Sequence, residues 1–324
     1  MKRSELLARI LITIGIFLAV GVPLFVWART PLIHVHMAED GGWNPDVIKA
    51  EVGSPLHLRL TSDDVVHGFA VGQMKMEGVD VVPGKVTDVT LTFDKPGIYT
   101  FFCTHWCGVN HWRMRGTIEV GGSIAEPEPV SIPLYVTLGI DIDAPHDALI
   151  IPHNRPSAVN GQALASNLHL DRGTEYYRSH SPYDLFNSLS NTTLTDLQRW
   201  DVIAHIWKSN SKSESLANGK KLYAQNCAAC HGENGAGNGV FADDISRVGE
   251  SSQQSISGSN EMMQKPADFT NPSRMLGASP ALLQGKILRG GMGTGMPMWG
   301  SIFTEEQIWD LIAYVYSFQF EYEK

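Results

Sequence analysis

Cys103, Cys107, His111 and Met114 follow one another with the spacing C-x3-C-x3-H-x2-M, and His67 lies upstream. Thiolate, imidazole and thioether are soft or borderline donors, a set that suits copper rather than magnesium or calcium. A mononuclear blue-copper centre needs one Cys, two His and a weak axial Met. The second cysteine leaves three arrangements open. These are a mononuclear copper, a small disulfide in an oxidising compartment, or two thiolates bridging two copper ions. In the bridged case His67 and His111 would each cap one copper, with Met114 and the backbone carbonyl of His105 as weak axial contacts. Further on, Cys227-Ala228-Ala229-Cys230-His231 is a c-type haem attachment motif. Cys227 and Cys230 would form thioethers to the haem, and His231 would be the proximal iron ligand. The four cysteines of the chain all stand inside these two motifs.

Different elements must position the two sets. Around the first, short segments rich in alternating or β-branched residues (32–37, 57–61, 86–93, 98–102 and 117–120) are separated by turn residues such as Asp94-Lys95-Pro96-Gly97. That pattern predicts an all-β sandwich over residues 31–121, with the ligand loop between its last strands. Around the second, residues 216–226 have helical spacing, and Thr304-Glu305-Glu306-Gln307 opens a closing amphipathic helix with a capping box. Residues 213–324 therefore read as an all-α domain.

The middle, residues 122–212, is less informative. Glu126 to Pro133 reads as a linker, and His146, His153, His169 and His180 fit no ligand spacing. Residues 194–206 echo 303–315, each with a T-x-x-Q box ahead of helical apolar spacing. The segment is either a linker with one amphipathic helix or a degenerate cytochrome-like domain lacking haem.

At 324 residues the chain has room for two or more domains. A net charge of −9 with only 18% charged residues argues against a nucleic-acid partner, which requires a basic face. Lys2, Arg3 and Arg9 precede an uncharged apolar run from Ile10 to Trp27. At about 18 residues that run is long enough to cross a bilayer. Residues 1–30 are thus expected to be a single transmembrane anchor with a cytoplasmic N-terminus, placing the remainder in the periplasm or outside the cell. A cleaved signal peptide is the alternative.

Val65-Val66-His67-Gly68-Phe69, Val82-Pro83-Gly84, Pro96-Gly97-Ile98-Tyr99 and the whole 103–114 loop resemble the CuA domain of haem-copper oxidase subunit II, a cupredoxin. The single leading span and Asp64-Val65-Val66-His67-Gly68-Phe69 look most like the B-family enzymes. The resemblance implies a dinuclear CuA held by His67, Cys103, His105 through its carbonyl oxygen, Cys107, His111 and Met114. The family usually has Glu or Gln where this chain has His105. Residues 213–324 resemble a class I cytochrome c. Gly219 and an aromatic at Tyr223 would let the first and last helices cross closely, and Met296, just before Pro297, would be the distal ligand of one covalent haem c, with Met292 and Met298 as alternatives.

Together these resemblances imply an electron-transfer subunit of a membrane haem-copper oxidase, part of an oxidoreductase complex with no catalytic centre in this chain. The implied partners are a multi-span subunit I, a cytochrome or copper-protein donor, and membrane lipid in a bacterial or archaeal cell. A CuA-containing nitric oxide reductase and a free-standing anchored electron carrier are the competing readings.

Overall fold

Short strands with alternating burial build the copper-motif region. In the computed structural model, described over residues 3–21, 32–74, 76–108, 111–122, 131–168, 170, 172–243, 265–291 and 296–323, they form two sheets. One has the order β2 (Trp43–Asn44), β1 (Leu32–Val35), β4 (Leu56–Ser62), β7 (Thr87–Leu91). The other runs β3 (Val47–Glu51), β9 (Arg115–Gly121), β8 (Gly97–Phe102), β5 (His67–Val71), β6 (Val79–Val81). β1 lies parallel to β4 and β3 parallel to β9, while β8 and β9 are antiparallel, with Tyr99 opposite Ile118.

Ile33, Val35, Leu58 and Leu60 face inward from the first sheet, and Phe69, Phe101, Ile118 and Val120 from the second. Trp43 meets Phe69 and Phe101 edge-on at centroid separations of 5.7 and 5.4 Å, a favourable arrangement for large rings. This is the predicted β sandwich of cupredoxin type. It belongs to a unit comprising Met1–Ala70 and Glu77–Glu126. Arg3–Ile16 is helical and Phe17–Gly21 continues as one π turn, with Ile10 to Phe17 largely exposed. Among the described residues no helix is long and apolar enough to cross a membrane. Residues 22–30 of the expected anchor lie outside the described residues.

The other unit, Val71–Met76 with Pro127–Lys324, is helical. Helix Ser213–Asn226 packs against the closing helix Glu305–Tyr316. They approach most closely at Gly219, where a Cβ would sit 2.1 Å from the Asp310 carbonyl oxygen. A second pair, Ala158–Asn167 against Asp196–Ser209, crosses at Gly161, whose Cβ would be 1.9 Å from the Asp201 carbonyl oxygen. Both T-x-x-Q boxes form as read: Thr195 and Thr304 cap their helices, and Gln198 and Gln307 accept from the capping residues' amides at 2.9 Å. The Ser-rich stretch 246–264 lies outside the described residues, as do most of the linker and His169.

Asp201 and Asp310 are buried at the two crossings. Burial raises both carboxyl pKa values above the ordinary 3.8, opposed by hydrogen bonds from Ser157 and Asn160 to the first, and from Ser215 and Asn218 to the second. A raised folded-state pKa means that the native form binds protons more tightly than the unfolded one. These groups therefore favour folding most below pH 3.8, and that contribution declines as pH rises through their folded values. The Asp201→Asn/Asp310→Asn double variant should flatten this part of the thermal midpoint–pH profile. An unchanged slope would contradict the assignment.

Candidate metal centres

The copper-motif residues converge at one end of the β sandwich. β5 delivers His67, fully buried, and β8 ends one residue before Cys103. The intervening loop returns through a 3-10 turn, His111–Arg113, and Met114 directly precedes β9. Backbone bonds close the loop: Cys103 N donates to Met114 O (3.1 Å), Met114 N to His111 O (2.9 Å) and Thr104 N to Gly68 O (3.3 Å). Trp43 Nε1 also donates to Met114 O, at 3.1 Å.

The two sulfurs stand 3.9 Å apart, unbonded, so the disulfide alternative is not the arrangement found. His67 Nδ1 lies 3.7 Å from Cys103 Sγ and His111 Nδ1 3.6 Å from Cys107 Sγ. Met114 Sδ is 3.2 Å from Cys107 Sγ, and His105 O is 3.3 Å from Cys103 Sγ. Donors about 2.0–2.3 Å from a shared tetrahedral metal are roughly 3.5–3.8 Å from one another. The sulfur–sulfur and sulfur–imidazole separations fit a ligand set gathered for metal, and His67, Cys103 and Cys107 form a mutually close metal-capable group.

The His105 side chain does something else. Its Nε2 pairs with Asp80 at 3.1 Å, and its Nδ1 is 3.3 Å from Thr104 Oγ1. Only its carbonyl addresses the sulfurs. His105→Ala should therefore leave the copper absorption intact. Loss of copper in that variant would assign the imidazole as a ligand.

Asp64 is a further candidate site residue that spacing alone did not reveal. Its carboxylate accepts from His67 Nε2 (2.7 Å) and from the amides of Met37 and Val65 (2.6 Å each). Burial would raise its pKa, but these hydrogen bonds outweigh burial and hold it at about 2. A carboxylate on the far imidazole nitrogen fixes the tautomer and leaves Nδ1 for metal. The available signal was an acid three residues ahead of a ligand histidine.

Donation from Cys107 drives the Cys103 thiol down to about 2, and acceptance by Cys103 pushes Cys107 up. Burial opposes ionisation of His67, yet its contacts with Cys103 and Asp64 leave its pKa raised. Gly68 N also donates to Cys103 Sγ at 3.5 Å. A thiolate already supported in this way is prepared for a soft cation.

In the helical unit, Cys227, Cys230 and His231 fall on one short helical stretch after helix Ser213–Asn226. His231 Nδ1 donates to the Ala267 carbonyl at 3.0 Å, which leaves Nε2 for iron. Its ring stacks on Phe269 at 4.5 Å, and Gln319 Nε2 holds the Phe269 carbonyl at 2.6 Å. Burial pushes the Cys227 thiol up to about 12 and Cys230 to about 11, and lowers the His231 pKa. Neutral thiols beside a neutral imidazole fit thioether attachment and iron ligation.

Met296 is half-buried, and its carbonyl accepts from Gly291 N at 3.1 Å. Met298 is 63% exposed, and Met292 lies outside the described residues. Met296→Ala should remove the Met/His low-spin absorption and leave copper unaffected. An unchanged haem spectrum would exclude Met296 as the ligand.

Fold and donor sets define a class: a copper-binding cupredoxin-like domain and a haem-binding cytochrome in one chain. The comparisons with known proteins agree. Residues 44–120 match the family cytochrome c oxidase subunit II, periplasmic domain, and residues 216–319 match cytochrome c. Cytochrome c oxidase subunit 2 of Thermus thermophilus is 40% identical over 79 residues, 24% of this chain and 58% of that protein. A second subunit 2 sequence from the same species is 40% identical over 79 residues, 46% of its own length. The match thus spans about half the length of these curated relatives. Among solved structures, a chain of a haem-copper terminal oxidase dimer is 25% identical, covering 36% of this chain and 94% of that one with a TM-score of 0.25. The periplasmic domain of subunit II from Bradyrhizobium japonicum is 26% identical, covering 23% and 53% with a TM-score of 0.22. The chain therefore resembles an oxidase subunit II in its copper domain and carries a cytochrome c domain beside it.

Proposed function

We propose that this chain is the electron-transfer subunit, of subunit II type, of a membrane haem-copper terminal oxidase. It relays electrons from an external donor to a multi-span subunit I, where oxygen is reduced. The observation that carries this reading is the pair of sulfurs 3.9 Å apart, flanked by one imidazole nitrogen near each. That donor set would hold two copper ions through Cys103, Cys107, His67 and His111, with the His105 carbonyl and Met114 as further donors.

When bound, copper and haem c each supply a one-electron couple. The chain's own part is to hold the ligands with little rearrangement. Asp64 orients His67, the Gly68 amide supports Cys103, and Ala267 orients His231. Met296 on the distal side would raise the haem potential relative to a second imidazole. In this reading residues 1–30 anchor the chain in the cell membrane, 31–121 carry copper and 213–324 carry haem on the outer face.

Purification in mild detergent tests the assignment. The chain should come away with a multi-span haem protein, and the complex should consume oxygen with a reduced cytochrome or copper protein as donor. Recovery of the chain alone would favour a free-standing carrier. Consumption of nitric oxide in place of oxygen would favour a nitric oxide reductase.

A further inference from the structure

The two helix pairs of the helical unit match at several positions. Ser157, Asn160 and Gly161 stand at one constant spacing from Ser215, Asn218 and Gly219, and Thr195, Gln198, Trp200 and Asp201 at another from Thr304, Gln307, Trp309 and Asp310. Equivalent groups do equivalent work. Ser157 N donates to Asp201 at 2.7 Å and Asn160 also bonds it, while Asn218 Nδ2 donates to Asp310 at 3.4 Å and Ser215 also bonds it. Each glycine admits its partner's aspartate carbonyl where a Cβ would collide. Generic amphipathic packing does not require this shared set of sequence position, polar network and backbone contact.

One divergence changes the packing between the helices. The cytochrome pair has three mutually packed aromatics, Tyr223, Tyr314 and Phe318, with centroids 5.3–5.4 Å apart. Their counterparts are Ala165, His205 and Ser209. The smaller side chains border a cavity of about 450 Å³, also lined by Arg172, Thr174 and Asn210. Arg172 is the counterpart of Cys230. Its Nε is buried with no hydrogen-bond partner among the described residues, and its guanidinium lies 4.8 Å from the Tyr176 ring centroid. No carboxylate lines the cavity among the described residues.

We propose that residues 157–210 are a haem-free second copy of the cytochrome helix pair, and that the cavity replacing its aromatic trio binds a small oxyanion-bearing ligand, a carboxylate or phosphate, through Arg172. A guanidinium presents its donors in a fork that matches either group. The proposal does not depend on the oxidase reading.

Calorimetric titration of the full-length protein, loaded with haem and copper, with inorganic phosphate and separately with succinate tests it. One saturable site for either probe is expected. Arg172→Gln should weaken that site at least tenfold, and Ser209→Phe, which restores one aromatic of the trio, should abolish it with haem and copper absorption unchanged. Absence of saturable binding by both probes in the millimolar range, or binding undiminished in both variants, would overturn the proposal.

Discussion

Cys107→Ser should lower bound copper from the proposed two ions per chain to at most one and abolish the proposed mixed-valence electron paramagnetic resonance signal, with the haem spectrum preserved. The expectation follows from the sulfur positions. Cys107 Sγ lies 3.9 Å from Cys103 Sγ, 3.6 Å from His111 Nδ1 and 3.2 Å from Met114 Sδ, so it is the common neighbour of three other donors. A serine hydroxyl is a harder and less acidic donor that does not replace a bridging thiolate. Metal analysis with resonance spectroscopy reads the effect. A variant that kept two coppers and the delocalised signal would contradict the bridging role. The fold should survive, since Cys107 is only partly buried and the β-sandwich core rests on Trp43, Phe69 and Phe101.

Gly219→Val should be strongly damaging to the helical unit. The added Cβ would lie 2.1 Å from the backbone oxygen of Asp310 and 2.8 Å from Tyr314 Cβ, and neither neighbour is the free end of a flexible side chain. The helices must separate, which disturbs the Tyr223–Tyr314–Phe318 packing behind the haem motif. Overpacking of this kind costs about 3 kcal/mol, enough to lower the midpoint of a domain of roughly 100 residues by about 12 °C or more. Thermal unfolding followed at the haem absorption checks it, and a midpoint within a few degrees of the parent would refute the close crossing.

Much of this was legible in the sequence because the chemistry is local. The C-x3-C-x3-H-x2-M and CxxCH spacings name most of the candidate ligands, and alternation located β4, β7, β8 and β9 to within a residue or two. The capping boxes at Thr195 and Thr304 were readable because capping involves residues three apart. Harder features were those set by distant partners. β5 is buried along its whole length and shows no alternation, and the short β2 and β6 carry too few residues for a period. Neither the Asp64–His67 bond nor the pairing of His105 with Asp80 follows from a motif, because each depends on how loops turn. The middle helix pair was half visible. The echo of 303–315 in 194–206 identified one helix, but its partner emerged only when Gly161 met Asp201.

Copper stoichiometry with low-temperature electron paramagnetic resonance on the purified, copper-loaded chain tests the central claim most directly. Two coppers per polypeptide, giving a many-line hyperfine pattern from one electron shared between them, is the predicted result. A single copper with a mononuclear pattern, or residues 103 and 107 joined as a disulfide in the active preparation, would contradict it.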